Sequence, residues 1–291
     1  MRILILGVSG LIGHQLFKQL SQYHETFGTL HRKKQEYGNL KLFSENNIIE
    51  NIDVNNFEFL KGVINTINPD VILNCVGITK RKISLDNILE TLEVNALFPH
   101  KLADWTLLNK MRVIHFSTDC VFNGETGNYS EDSLTTAEDT YGRTKALGEI
   151  KYSHTLTIRS SFIGRELFDK TELLEWFLAQ DGKKINGFKK TYYSGVSTIF
   201  MSKVVNKILT EYPDLSGLYQ LAPEKPISKY ELLCIAKKAF NLTVEILPDE
   251  LHMHNPTLNS TKLRKEINLT IPSWEEMMNE LAQDGKINLT K

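Results

Sequence analysis

Tyr141 and Lys145 are spaced Y-x-x-x-K in Tyr141-Gly142-Arg143-Thr144-Lys145. On a helix, side chains at i and i+4 share one face. A tyrosine hydroxyl normally titrates near pH 10, too high for easy proton transfer at neutral pH. A neighbouring lysine cation favours the phenolate and so is expected to lower that value. The same lysine could hold a nicotinamide ribose while Tyr141 gives its proton to a substrate carbonyl as hydride arrives. Upstream, Ser117-Thr118-Asp119-Cys120 follows an apolar run. The Thr118 hydroxyl there could bond the same carbonyl oxygen, although a lone hydroxyl after a strand also serves as a turn or cap.

A second chemical pattern opens the chain. Gly7-Val8-Ser9-Gly10-Leu11-Ile12-Gly13 is a G-x-x-G-x-x-G between an apolar run and an amphipathic stretch. In a strand–turn–helix setting, such glycines make the tight turn, admit a pyrophosphate close to the backbone and let helix and sheet pack closely. The helix N-terminus adds free N–H groups and a positive dipole end. An acidic residue closing the second strand would select the 2′-hydroxyl of NAD. The sequence offers His31-Arg32-Lys33-Lys34 there, which suits a 2′-phosphate through charge-assisted contacts. A solvated charge run is the plain alternative. Asp53 either meets the adenine edge or is an ordinary loop aspartate.

These groups need a scaffold, and the first half supplies a strand–helix alternation. Strands are predicted over Arg2–Leu6, Thr26–His31, Ile48–Ile52, Asp70–Cys75, Arg112–Ser117 and Thr155–Ile158. Helices are predicted over Gly10–Leu20, Asn56–Ile67, Asp86–Asn109 (bent or interrupted by Pro99) and Tyr141–Ile150. Short apolar runs without strict alternation fit strands buried on both faces of a parallel sheet. The polar stretch 123–140 reads as an active-site loop. Beyond about residue 162 the rhythm becomes irregular, with helices expected at Glu172–Gln180, Thr198–Glu211, Ser228–Phe240 and Trp274–Leu281. The expected architecture is α/β: a Rossmann-type doubly wound parallel sheet over residues 1–161, and a smaller irregular substrate lobe over 162–291 that could return elements to the sheet.

Composition narrows the classes. The chain has 291 residues, 41% hydrophobic and 24% charged, as globular domains do. With 34 basic against 35 acidic residues it lacks the basic footprint of a nucleic-acid binder. No apolar run approaches the roughly 18 residues of a membrane span. The Ile3–Leu6 stretch runs into glycines, unlike a secretion signal. Cys75, Cys120 and Cys234 are too few and too scattered for a disulfide framework or zinc site; reduced thiols and a cytoplasmic setting are expected, with no metal. His252-Met253-His254 is read as an exposed loop.

Taken together, GVSGLIG at 7–13, NPDVILNCVG at 68–77, STDCVFNG at 117–124 and YGRTKALGE at 141–149 resemble the extended short-chain dehydrogenase/reductases. Within them, the chain is most similar to the dTDP-4-dehydrorhamnose reductase-like sugar-nucleotide reductases. TIRSSFIG at 157–164 and SGLYQLAP at 216–223 extend the likeness over nearly the whole chain. The resemblance implies NADPH, with NADH as the alternative. It implies a catalytic triad of Thr118, Tyr141 and Lys145. Cofactor contacts would come from Gly7, Ser9, Gly10, Leu11, Ile12, Gly13, Arg32, Asp53, Val54, Asn74, Cys75, Val76, Gly77 and Ser117, besides Tyr141 and Lys145. Asn95 would be a structural asparagine on the cofactor side. Loose substrate candidates are Thr79, Asp119, Cys120, Val121, Phe122, Arg165, Ser194 and Arg264. Trp176 is expected to be core packing and Arg264 an exposed helix charge. A nucleotide-sugar substrate, surface-polysaccharide precursor synthesis, neither nucleic acid nor membrane as partner, and a homodimer as an open option complete the implied picture.

Three rivals remain. A 4,6-dehydratase would carry Thr-Asp-Glu, and Cys120 stands where its base should be. A GDP-fucose synthase-like epimerase-reductase uses a Ser-Ser-Cys segment and a later histidine. Cys120 occupies that cysteine position, but Glu166 stands where the histidine belongs. A reductase-like regulatory subunit would keep the fold without catalysis; such chains usually show an eroded triad, and this one is intact.

Overall fold

The computed structural model describes residues 1–38, 40–43 and 47–287. The elements run β1 (Arg2–Leu6), α1 (Gly13–Leu20), β2 (Glu25–Thr29), β3 (Ile48–Ile49), α2 (Phe57–Ile67), β4 (Val71–Asn74), α3 (Ile88–Leu92), α4 (Phe98–Leu108), β5 (Arg112–Ser117), α5 (Thr140–Leu147) and β6 (Thr155–Arg159). Then follow β7 (Phe162–Ile163), α6 (Leu173–Leu178), β8 (Lys184–Tyr193), β9 (Val196–Ser197), α7 (Thr198–Glu211), β10 (Gly217–Gln220), β11 (Ile227–Ser228), α8 (Lys229–Phe240), β12 (Glu245–His254), α9 (Thr261–Glu266) and α10 (Trp274–Ile287).

Seven strands form one parallel sheet in the order β10-β6-β5-β4-β1-β2-β3. Strand β1 shows why. Ile3 and Ile5 face one core with Leu16, Phe17 and Val204, while Leu4 and Leu6 face a second with Leu60, Ile64 and Leu102. Both faces are apolar, so helices cover both. The strand order reverses between β1 and β4, and the crevice at the carboxyl ends there is where open α/β sheets bind ligands.

Two local features aim residues at that crevice. Helix α1 begins at Gly13, not Gly10 as the sequence suggests, because residues 7–12 form the turn. A side chain at Gly13 would collide with the Gly7 carbonyl oxygen. Between α3 and α4, Glu93–Leu97 widens into a π-helical turn. Pro99 has no N–H to offer the Asn95 carbonyl, so the regular ladder fails at this point. The expected bend at Pro99 is therefore a widening one turn earlier, and it turns the Asn95 side chain toward the crevice loop.

The C-terminal half forms a three-stranded sheet, β11-β8-β12, and a short pair, β7 with β9. It also sends β10 back to pair with β6 at the edge of the large sheet. The His252-Met253-His254 reading needs correction: these residues are exposed but belong to β12, paired with β8 beyond a register shift between Asp249 and Met253. Strand β12 lies at its sheet's edge, where Pro248 is tolerated. Trp176 is also corrected: it is 38% exposed on α6, not core. Among the described residues no helix is long and apolar enough to cross a membrane, and no three metal-ligating side chains cluster. All three cysteines are free thiols.

Candidate active site

A cleft of about 980 Å³ runs along the carboxyl edge of the sheet. At one end its wall is the turn before α1, through Gly7, Ser9, Gly10, Leu11 and Ile12. Arg32, Asp53 and Val54 line this end too, as does Glu36, whose carboxylate accepts the Lys33 N–H at 3.3 Å. Cys75, Val76, Gly77 and Thr79 form the floor after β4. Asn95 stands just behind it, fully buried, accepting from Ile78 N at 2.8 Å and donating to Ile78 O at 2.9 Å. Gly13 is absent from the lining; it serves helix packing.

In the middle of the cleft lie Ser117, Thr118, Asp119, Cys120, Tyr141 and Lys145. Ser117 ends β5 and donates to Glu149 Oε1 at 2.8 Å; Glu149 is paired with Arg159 at 2.6 and 2.7 Å, both side chains buried. Thr118 Oγ1 caps the turn by accepting from Cys120 N at 3.1 Å and donates to Asp119 Oδ1 at 3.1 Å. Helix α5 is started by Asp139, which accepts the Gly142 N–H at 2.8 Å and pairs with Lys80 at 2.7 Å. Glycine at 142 lets this helix end come against the Cys120 carbonyl, where a side chain would clash. That approach brings Tyr141 to Thr118.

The electrostatics differ from the sequence expectation. Burial raises the Tyr141 hydroxyl above its usual value, Cys120 and Asp119 add to this, and a hydrogen bond with Thr118 works against it. Lys145 does not depress it: its Nζ donates to Phe116 O at 2.7 Å and meets His115 Nε2 at 3.3 Å. Burial instead lowers Lys145 to about 8. Burial, reinforced by Asp119, pushes the Cys120 thiol up to about 12.

Of the substrate candidates, Thr79, Asp119 and Cys120 line the cleft. Val121 and Phe122 do not: they pack in a small core with Tyr129 and Leu258. Ser194 is buried and accepts the Leu258 N–H at 3.0 Å. Arg165 pairs with Glu175, and Arg264 with Glu224 at 3.3 Å; Arg165, Ser194 and Arg264 are all absent from the lining. In their place the fold presents Lys80, Arg81, Lys82, Glu166, Tyr192, Tyr193, Lys229 and His254. The basic run 80–82, on the loop that follows β4, was a readable signal. Nothing in the sequence marks Tyr193, and His254 stands out only in a stretch that reads as an exposed loop; they arrive on β8 and β12. The Tyr193 hydroxyl is buried without a hydrogen-bond partner. A strap closes the cleft's side: Phe168 packs on Tyr37 with ring centroids 5.1 Å apart, Asp169 pairs with Lys82 at 2.6 Å, and Arg81 donates to the Thr171 carbonyl.

Comparison with known proteins places the fold and the family. The RmlD substrate binding domain family matches residues 1–287. The methionine adenosyltransferase 2 subunit beta of Xenopus laevis is 24% identical over 293 residues, covering 91% of this chain and 82% of that protein. The dTDP-4-dehydrorhamnose reductase of Aggregatibacter actinomycetemcomitans is 26% identical over 243 residues, covering 79% and 76%. Among solved structures, the dTDP-4-dehydrorhamnose reductase of Bacillus anthracis in complex with NADP superposes with a TM-score of 0.80 over 97% of this chain and 99% of that one. Its identity of 19% speaks for the fold alone. The match over residues 1–287 shows that the chain belongs to the RmlD substrate binding domain family.

Proposed function

We propose that the chain is an NADPH-dependent reductase of the 4-keto group of a nucleotide-linked 4-keto-6-deoxy sugar. The observation that carries this is the meeting, in one cleft, of the glycine turn before α1 with Thr118, Tyr141 and Lys145. The donor set fits a dinucleotide. The N-terminal end of α1 presents backbone N–H groups to a diphosphate, and Arg32 offers a cation to a 2′-phosphate. NADPH supplies a hydride when bound. Thr118 and Tyr141 hold the carbonyl oxygen, and Tyr141 gives it the proton. Lys145, buried in the same cleft, holds the nicotinamide ribose. The Tyr193 hydroxyl, orphaned and on the substrate side, is a ready partner for the sugar. A cytoplasmic setting and polysaccharide precursor synthesis belong to the same proposal.

Purified protein mixed with NADPH and a panel of 4-keto-6-deoxy sugar nucleotides should consume NADPH only when a sugar is present. Run in D₂O, the product should carry no solvent deuterium on carbon. Label at C3 or C5, lost in Cys120→Ser, would install the epimerase-reductase reading; the raised Cys120 thiol disfavours it as a base. A second reading follows from the likeness to a methionine adenosyltransferase subunit over 91% of the chain: a regulatory subunit that binds the dinucleotide without turnover. Dinucleotide binding with no NADPH consumption on any keto sugar would favour it.

A further inference from the structure

His115 lies on β5 directly behind the cleft, with no exposed surface, and the mechanism above gives it no part. Its two ring nitrogens are both engaged. Nδ1 is 3.1 Å from Asn74 Nδ2, and Nε2 is 3.3 Å from Lys145 Nζ. The Asn74 amide is oriented independently, because its oxygen accepts the Val76 N–H at 3.2 Å. The Nδ2 amide therefore donates to His115, so Nδ1 is the acceptor and the single proton of the neutral imidazole sits on Nε2. That proton points at Lys145, which completes the chain only as an amine: accepting from His115 and donating to Phe116 O at 2.7 Å.

An ammonium at Lys145 needs the opposite arrangement. Nε2 must accept, the ring proton must sit on Nδ1, and the Asn74 amide must turn its oxygen to it. The Val76 N–H, at the floor of the cofactor cleft, then loses its acceptor. The ring itself stays neutral throughout, since Lys145 and His100 both oppose a charge on it and burial opposes it most. The net change is one proton gained from solvent, carried by Lys145. Other groups facing the pair are Cys75 just after β4 and Glu149 beyond α5, the latter engaged by Arg159.

We propose that His115 is a positioning residue that couples the charge of Lys145 to the orientation of the Asn74 amide, and through it to the N–H of Val76 at the floor of the cleft. This rests on the reductase reading only for its use in catalysis; the coupling itself is measurable without turnover. In protein labelled with ¹⁵N-histidine, ¹⁵N-valine and ¹³C-lysine, ¹H–¹⁵N spectra (two-bond for the histidine rings, one-bond for the Val76 amide) over about pH 6 to 10 bracket the expected Lys145 titration. The expected result is a His115 tautomer change from Nδ1–H to Nε2–H with the Lys145 midpoint, the ring never protonated, and the Val76 amide shift following the same midpoint. In Asn74→Asp, of nearly equal volume, the carboxylate should fix the Nδ1–H tautomer and move the Lys145 midpoint up by about one pH unit. His115→Phe should abolish the Val76 response. A His115 tautomer constant across the Lys145 titration, or a Val76 shift that does not follow it, overturns the coupling. If the spectra show the coupling but no keto sugar is reduced, the reductase reading fails and this one stands.

Discussion

A phenol raised by burial holds its proton firmly at neutral pH, which suits Tyr141 as the donor at the end of a reduction. Tyr141→Phe should therefore leave NADPH binding nearly intact, as read by fluorescence titration, and lower kcat by about 10²–10⁴, the range for a lost general acid. Turnover near normal would remove Tyr141 from the chemistry. The pH profile follows from its neighbour. Lys145 is lowered to about 8, so the ammonium offered to the nicotinamide ribose is present below that pH and lost above it. Tyr141 titrates higher, so it does not set this limb. We expect kcat/KM to fall above about pH 8; a profile flat to pH 10 would separate the Lys145 charge from the reaction.

The elements hold these residues through buried polar joints. The Glu149–Arg159 pair ties the loop after α5 to β6 and takes the Ser117 hydroxyl, and both side chains are buried. Breaking such a pair strands a charge and costs about 3–5 kcal/mol. Glu149→Ala should show that loss in urea unfolding, and Glu149→Ala with Arg159→Met should recover much of it; equal stability of single and double variants would contradict the account. The sequence made other joints visible and hid this one. Strands β1, β4 and β5 are buried and mostly apolar, so their runs stand out, and the glycine turn and Y-x-x-x-K lie within short segments. The substrate side is built differently. Strand β12 is nearly all exposed along EILPDELHMH, and its strand form comes from pairing with β8, which no local pattern announces. Tyr193 and His254 reach the cleft only through that pairing. Arg165 and Ser194 adjoin it in sequence but turn to Glu175 and Leu258 instead.

At the scale of the molecule, residues 1–161 and 162–291 share a large apolar core, although a second cluster lies within the first half. Leu16, Phe17 and Leu20 of α1 pack in one cluster with Val204, Val205 and Ile208 of α7. Strand β10 covers the edge of β6, register Leu156 to Gly217 through Arg159 to Gln220. A fragment ending at 161 would bare the apolar face of α1 and leave β6 as an open strand edge, with nothing to offset the lost burial. We expect residues 1–161 alone to give no cooperative thermal transition and to aggregate, whereas the full chain melts in one step. NADPH at about 100 times its Kd should add roughly 2.7 kcal/mol to that single transition, because the cleft it fills is walled by both halves: Gly7 and Arg32 from the first, Glu166, Tyr193 and Lys229 from the second. Calorimetry of the full chain decides the matter. Two transitions, with only the first moved by NADPH, would mean that the halves fold as independent units despite their shared core.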